Sequence, residues 1–194
     1  ALQTIVSREI APLKPGVITV GSFHSGLKHN IISDKATMQL TVRSDDEETR
    51  AKLLEGIKRI ATNVGRMNGL PEDKLPEVLV SQESTPANYN DAALTQRVKA
   101  VFAKRFGEDV FDNKLREGMG AEDFAYFVEP NTDVPGVYFS VGGTPQADFD
   151  RAKAGGPPVP SHHSPFFKIA PRESVTLGTE AMTAAALELL AADE

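Results

Sequence analysis

The chain has 194 residues, enough for one full hydrophobic core or two small ones, and its 40% hydrophobic and 25% charged residues describe an ordinary soluble globular protein. A formal net charge of −6 without any Lys/Arg-rich run removes the counterion-release term behind general nucleic-acid affinity, so nucleic acid is not an expected partner. The absence of cysteine excludes disulfides and thiolate chemistry, and no apolar run approaches the roughly 20 residues that span a bilayer, so no membrane partner is expected either.

Residues 1–10 read as the end of an amphipathic helix, with Leu2, Ile5 and Val6 at helical spacing and Pro12 and Pro15 stopping it. A helix so short is marginal without a packing partner. With no initiator Met, the expectation is that the chain is the C-terminal part of a longer polypeptide, cut inside a domain. Residues 17–20 form a β-branched run ending at Gly21. Between 36 and 43 the alternation predicts a half-buried antiparallel strand, Ala36, Met38, Leu40 and Val42 on one face and Thr37, Gln39, Thr41 and Arg43 on the other. Ser44 and Glu47 have capping-box spacing, with Asp45 and Asp46 in the first turn. The helix that follows carries Arg50, Leu53, Leu54, Ile57, Ile60, Ala61 and Val64 on one stripe and ends around 69–71; residues 77–81 read as a further strand. Helix, strand, strand, helix, strand is a ferredoxin-like split βαβ unit without its first strand.

Around 82–90 the composition shifts to Ser, Thr, Pro and Asn, predicting a boundary between a domain at 1–85 and another at 86–194. Asp91 can cap a helix whose Leu94, Val98, Val101 and Phe102 face inward, with Phe106 and Gly107 at its end. Residues 137–141 read as a strand, 142–165 as a Gly- and Pro-rich loop, and Pro171 as the start of a helix whose Val175, Gly178, Met182, Ala185 and Leu189 share a face. Tyr138, Phe166 and Phe167 are assigned to the core. This half is α/β in character but has too few strands for a sheet of its own.

The chemistry gathers in two clusters. From Arg116 to Phe127 the chain runs Arg-Glu-Gly-Met-Gly-Ala-Glu-Asp-Phe-Ala-Tyr-Phe: Gly118 and Gly120 allow a tight turn or close approach to a ligand, Glu122 and Asp123 open a short helix, and Phe124 and Phe127 share one face. On residues alone, the two carboxylates either line a site or serve the helix dipole. The second cluster is Ser161-His162-His163-Ser164-Pro165, behind Pro157, Pro158 and Pro160, a brace that leaves an imidazole fewer backbone states to lose.

Gly-Met-Gly-Ala-Glu-Asp-Phe-Ala-Tyr-Phe resembles a signature of the M20 metallopeptidase and amidohydrolase family, in its aminoacylase and hippurate-hydrolase-like branch. Residues 1–8, His29-Asn30-Ile31-Ile32-Ser33-Asp34 leading to Thr41-Val42-Arg43, and His163-Ser164-Pro165 agree with it in order, so the likeness covers nearly the whole chain. The resemblance implies an incomplete ferredoxin-like lid and dimerisation domain, α+β in class, followed by the C-terminal part of an α/β zinc-peptidase-like catalytic domain. It further implies a cytoplasmic enzyme that hydrolyses N-acyl amino acids or related conjugates, a homodimer through the lid, and two zinc or manganese ions. His163 matches the terminal metal ligand; Asn30 and Arg43 match substrate-contacting positions, often acting across the dimer, with Arg43 clamping a carboxylate. Gly120, Glu122 and Asp123 match the pocket lining. The usual proline after the Asn motif is Ser33 here. The family's other metal ligands and paired glutamates have no match, so no catalytic residue is assigned and the chain alone is expected to be inactive, since zinc wants about three protein ligands. A non-catalytic ferredoxin-like oligomerisation or ligand-binding module, and a dipeptide-cleaving peptidase of the same family, are the alternatives.

Overall fold

The computed structural model describes residues 1–112 and 118–191, which divide into two units. The first holds residues 1–88 together with 118–127. It opens with α1 (Gln3–Glu9), followed by an antiparallel hairpin of β1 (Gly16–Ser25) and β2 (Ala36–Ser44), and α2 (Glu47–Met67). Ile5 of α1, Ile18 of β1 and Leu53 and Ile57 of α2 make its buried core, with Leu40 and Val42 of β2 packed against them. Ile5 and Leu53 are fully buried, each contributing about 1.5–3 kcal/mol of apolar transfer. The short α1 thereby acquires its packing partner, and the Gln3 side-chain amide also donates to the Ile18 carbonyl at 2.9 Å.

The hairpin register explains a pattern that the alternation of β2 alone did not reveal. Val20 pairs with Leu40 and Ser22 with Gln39, so Gly21 is an extra residue that forms a bulge, and β1 extends past the glycine expected to end it. The one-residue slip restores Phe23, opposite Met38, to the face that carries Ile18 and Val20. That end of the face is uncovered: Phe23 is 62% and Met38 46% exposed.

At the start of α2 the cap differs from the expected Ser44/Glu47 box. Asp46 accepts from the Thr49 backbone N–H at 2.7 Å and from its hydroxyl at 3.0 Å. The Thr49 amide first, then the Lys14 ammonium, hold the Asp46 carboxyl below its ordinary range, so its stabilising charge is present at neutral pH and lost only in acid. Residues 77–81 form no ladder among the described residues, contrary to the strand expectation, although Val78 packs on the core.

The second unit holds residues 89–112 and 128–191. Its helices are α3 (Ala92–Phe106), α4 (Gln146–Lys153) and α5 (Pro171–Leu190). Asp91 caps α3 as the sequence implied, accepting from Leu94 N–H at 2.7 Å, and Val98 and Phe102 are buried against α5. Four expectations fail here, wholly or in part. Residues 137–141 form no strand; the Asn90 side chain instead bonds both the N–H and the carbonyl of Tyr138, doing what a strand neighbour would. The 142–165 loop contains α4, supported by Gln146–Asp150 and Asp148–Arg151 contacts one turn apart and stopped at Gly155, where φ is 86°. On α5 Ala185 is buried as expected, but its buried companion is Ala181, and Met182 and Val175 are exposed, so the packed stripe is rotated by about one residue from that expected. Small side chains let α3 approach closely, a demand that apolar periodicity does not record. Tyr138, Phe166 and Phe167 are partly or largely exposed rather than core.

Candidate substrate-binding site

Arg43 is the penultimate residue of β2, on the face away from the helices, and its guanidinium Nη1 donates to the main-chain carbonyl of Met119. The fold thus joins the strand-end arginine to the Gly-Met-Gly turn, 76 residues away in sequence. Gly120 is exposed in that turn, and Glu122 and Asp123 follow it, both exposed, with Asp123 opening a 3₁₀ segment, Asp123–Phe127. Its buried residue is Ala125; Phe127 is 69% exposed, so the expected Phe124/Phe127 face is only half used. Neither Gly118 nor Gly120 has the positive φ that would demand glycine, and a Cβ on either would meet nothing within 4 Å. Tight turning does not account for them, and the described structure does not itself require glycine at either position. Arg116 and Glu117, which open the sequence motif, lie outside the described residues.

Asn30 is not brought to this cluster within one copy. It sits exposed in the loop that joins β1 to β2, whereas Arg43 pairs with Val17 at the far end of the hairpin. From Arg43 to Ala36, where the ladder ends, the strand runs about 23 Å at roughly 3.3 Å per residue. An N-acyl amino acid, about two residues long, spans about 7 Å. His29 and His24 are exposed on the same hairpin.

In the second unit, His162 and His163 part company. The His162 ring stacks on Phe167, centroids 5.0 Å apart and 25° between planes. His163 has φ 65°, in the left-handed region that non-glycine residues seldom enter, and its ring has no hydrogen-bond or ring partner among the described residues. Ser164 N–H donates to the Ser161 carbonyl at 3.2 Å and Phe167 N–H to the Ser164 carbonyl at 3.0 Å, which closes the segment around it. Among the described residues no group of three or more His, Asp or Glu could hold a metal ion. His163 is therefore a single candidate donor, and the described residues do not fit a complete metal site. The open concavity lined by Tyr89, Asn90, Asp91, Glu129, Pro130 and Gly136 contains none of the nominated residues.

Residues 2–67, from α1 through α2, match the family described as the peptidase dimerisation domain of M20 proteins. A thermostable carboxypeptidase of Saccharolobus solfataricus is 32% identical over 166 residues, 86% of this chain and 38% of its own length. The hippurate hydrolase of Campylobacter jejuni is 34% identical over 129 residues, 66% of this chain and 32% of its own. The chain belongs to the M20 family. The crystal structure of a methicillin-resistant Staphylococcus aureus protein assigned as an aminohydrolase extends the likeness to the fold: TM-score 0.74, 27% identity, covering 98% of this chain and 44% of that one. The M20 chain spans only about a third to two fifths of the curated relatives' length. The family is generally metal-dependent. No helix among the described residues is long and apolar enough to cross a membrane.

Sequence reasoning nominated Arg43 but missed its partner. A main-chain carbonyl carries no side-chain signature, and the only available signal was the pair of glycines that expose the backbone around Met119.

Proposed function

We propose that this M20 chain is part of an amidohydrolase that cleaves the amide bond of N-acyl amino acids or related conjugates bearing a free carboxylate. The observation that carries the reading is the contact of Arg43 with the Met119 carbonyl, which puts a guanidinium against the exposed Gly-Met-Gly backbone. A planar fork of donors pairs bidentately with a carboxylate and discriminates it from a neutral amide. Gly120 offers main-chain N–H to the ligand, Glu122 and Asp123 line the pocket, and Asn30 reaches it from a second copy, since one hairpin separates Asn30 from Arg43. Residues 1–85 act as the lid and dimerisation domain, and 86–194 as a segment of the catalytic domain in which His163 is one metal ligand. The similarity to a hippurate hydrolase and a carboxypeptidase supports an amide-cleaving enzyme with a carboxylate-bearing substrate. The 194-residue chain by itself binds and orients without turning substrate over. Cleavage of dipeptides is the second reading, favoured by the carboxypeptidase similarity.

The test is an assay of the complete polypeptide with zinc or manganese on three substrates: an N-acyl amino acid, the C-terminal amide of the same compound, and a dipeptide. Fast hydrolysis of the first is expected, with the amide derivative poorer by about tenfold or more. A preference for the dipeptide would favour the peptidase reading, and no hydrolysis of any would overturn the proposal.

A further inference from the structure

Arg43 spends only part of its donor set on Met119. The carbonyl takes Nη1, and among the described residues Nε and Nη2 have no acceptor. Those two nitrogens form the edge of the guanidinium that grips a carboxylate with two parallel bonds. The same molecule uses that edge elsewhere: Arg66 presents Nε and Nη2 to the two oxygens of Glu72 at 2.9 and 3.0 Å, and Arg97 presents the same pair to Glu188, through its side chain at 2.9 Å and its carbonyl at 2.6 Å. At Arg43 no carboxylate of the described chain fills it.

We infer that the Met119 main-chain carbonyl is a positioning group for ligand recognition: it pins Nη1 of Arg43 so that the Nε–Nη2 edge faces outward, ready for an external monocarboxylate. An arginine at a strand end otherwise samples many rotamers, and fixing it when a ligand binds costs side-chain entropy. With the carbonyl bond formed beforehand, part of that loss is already met in the free protein. At Gly118 and Gly120 an added Cβ would meet nothing within 4 Å in the protein, so the backbone on both sides of the Met119 carbonyl is uncrowded. The Met119 side chain plays no part. The inference rests on Arg43 being the carboxylate clamp, and the experiment separates the two claims.

Replacing the amide between Met119 and Gly120 by an ester, with glycolic acid in place of Gly120, weakens the carbonyl as an acceptor and leaves every side chain unchanged; it also removes the Gly120 N–H, so the ligand-free rotation of Arg43, which that N–H does not touch, is the readout that decides the positioning role. The probe is benzoate, with benzamide as the neutral control, titrated into the 194-residue chain and followed by the Arg43 15Nε resonance. Expected are faster rotation about the Arg43 Nε–Cζ bond in the ligand-free ester and benzoate binding weakened roughly three- to tenfold. An ester that leaves the ligand-free rotation unchanged, while Arg43→Ala abolishes benzoate binding, would overturn the positioning role alone. Benzoate binding that survives Arg43→Ala would instead sink the carboxylate clamp, and with it the role of Met119 in recognition.

Discussion

Replacing His163 by alanine in the complete M20 enzyme is expected to lower bound metal and abolish turnover, by about a thousandfold or more if the lost ion supplies several kcal/mol of transition-state stabilisation. The expectation rests on backbone as well as on motif. His163 is held at φ 65° in a closed turn, an arrangement of order 1 kcal/mol above the ordinary regions, and among the described residues its ring has no partner while the neighbouring His162 is stacked on Phe167. Strain of that kind persists where surroundings impose it, and a ligand-bearing loop is one such place. The parallel variant His162→Ala should keep its metal and lose at most some stability, because that ring's contact is with Phe167. Metal content by atomic emission, measured beside the initial rate, separates the two. Full metal occupancy and near-normal turnover in His163→Ala would remove the assignment.

The second large effect concerns Asn30 and Arg43. Either Asn30→Ala or Arg43→Ala alone should cripple the homodimer, yet a purified heterodimer of the two variants should recover about half the activity of the wild-type dimer. The arithmetic follows from the hairpin. If a pocket takes Arg43 from one copy and Asn30 from the other, one of the two pockets in the mixed dimer receives both intact residues and the other receives neither. Were both residues to serve the pocket of their own copy, each pocket of the mixed dimer would lack one, and no activity would return. A strand of about 23 Å between the Arg43 end and the loop bearing Asn30 makes the crossed arrangement the expected one. Differently tagged copies, co-expressed and purified through both tags, supply the mixed dimer.

How much of this was legible in the sequence varies with the physics involved. The core of the first unit was: Leu53 and Ile57 stand on the stripe that helical spacing draws, and Leu40 and Val42 on the inward face of an alternating strand. Asp91 announced its helix because capping is a local event between residues three apart. The failures share a different character. Residues 77–81 and 137–141 have strand-forming composition, but a ladder needs a neighbour and composition cannot show whether one is present. The Gly21 bulge and the alanine stripe of α5 are set by what packs opposite them, the Met38 register in one case and α3 in the other. At the site, Arg43, Asn30 and the Gly-Met-Gly turn were visible as residue types in family order. That Arg43 meets a backbone carbonyl, and that Asn30 lies at the other end of the same hairpin, became visible only with the chain folded.

Recognition of a free carboxylate by Arg43 is the step on which the functional account stands. It is tested most directly by kcat/KM for an N-acyl amino acid and for its C-terminal amide, each measured with the wild-type complete enzyme and with Arg43→Ala. Loss of the clamp should raise KM for the carboxylate substrate by about 10- to 100-fold while leaving the amide within a few fold of its wild-type value, so that selectivity collapses toward unity. An equal loss on both substrates would contradict the account.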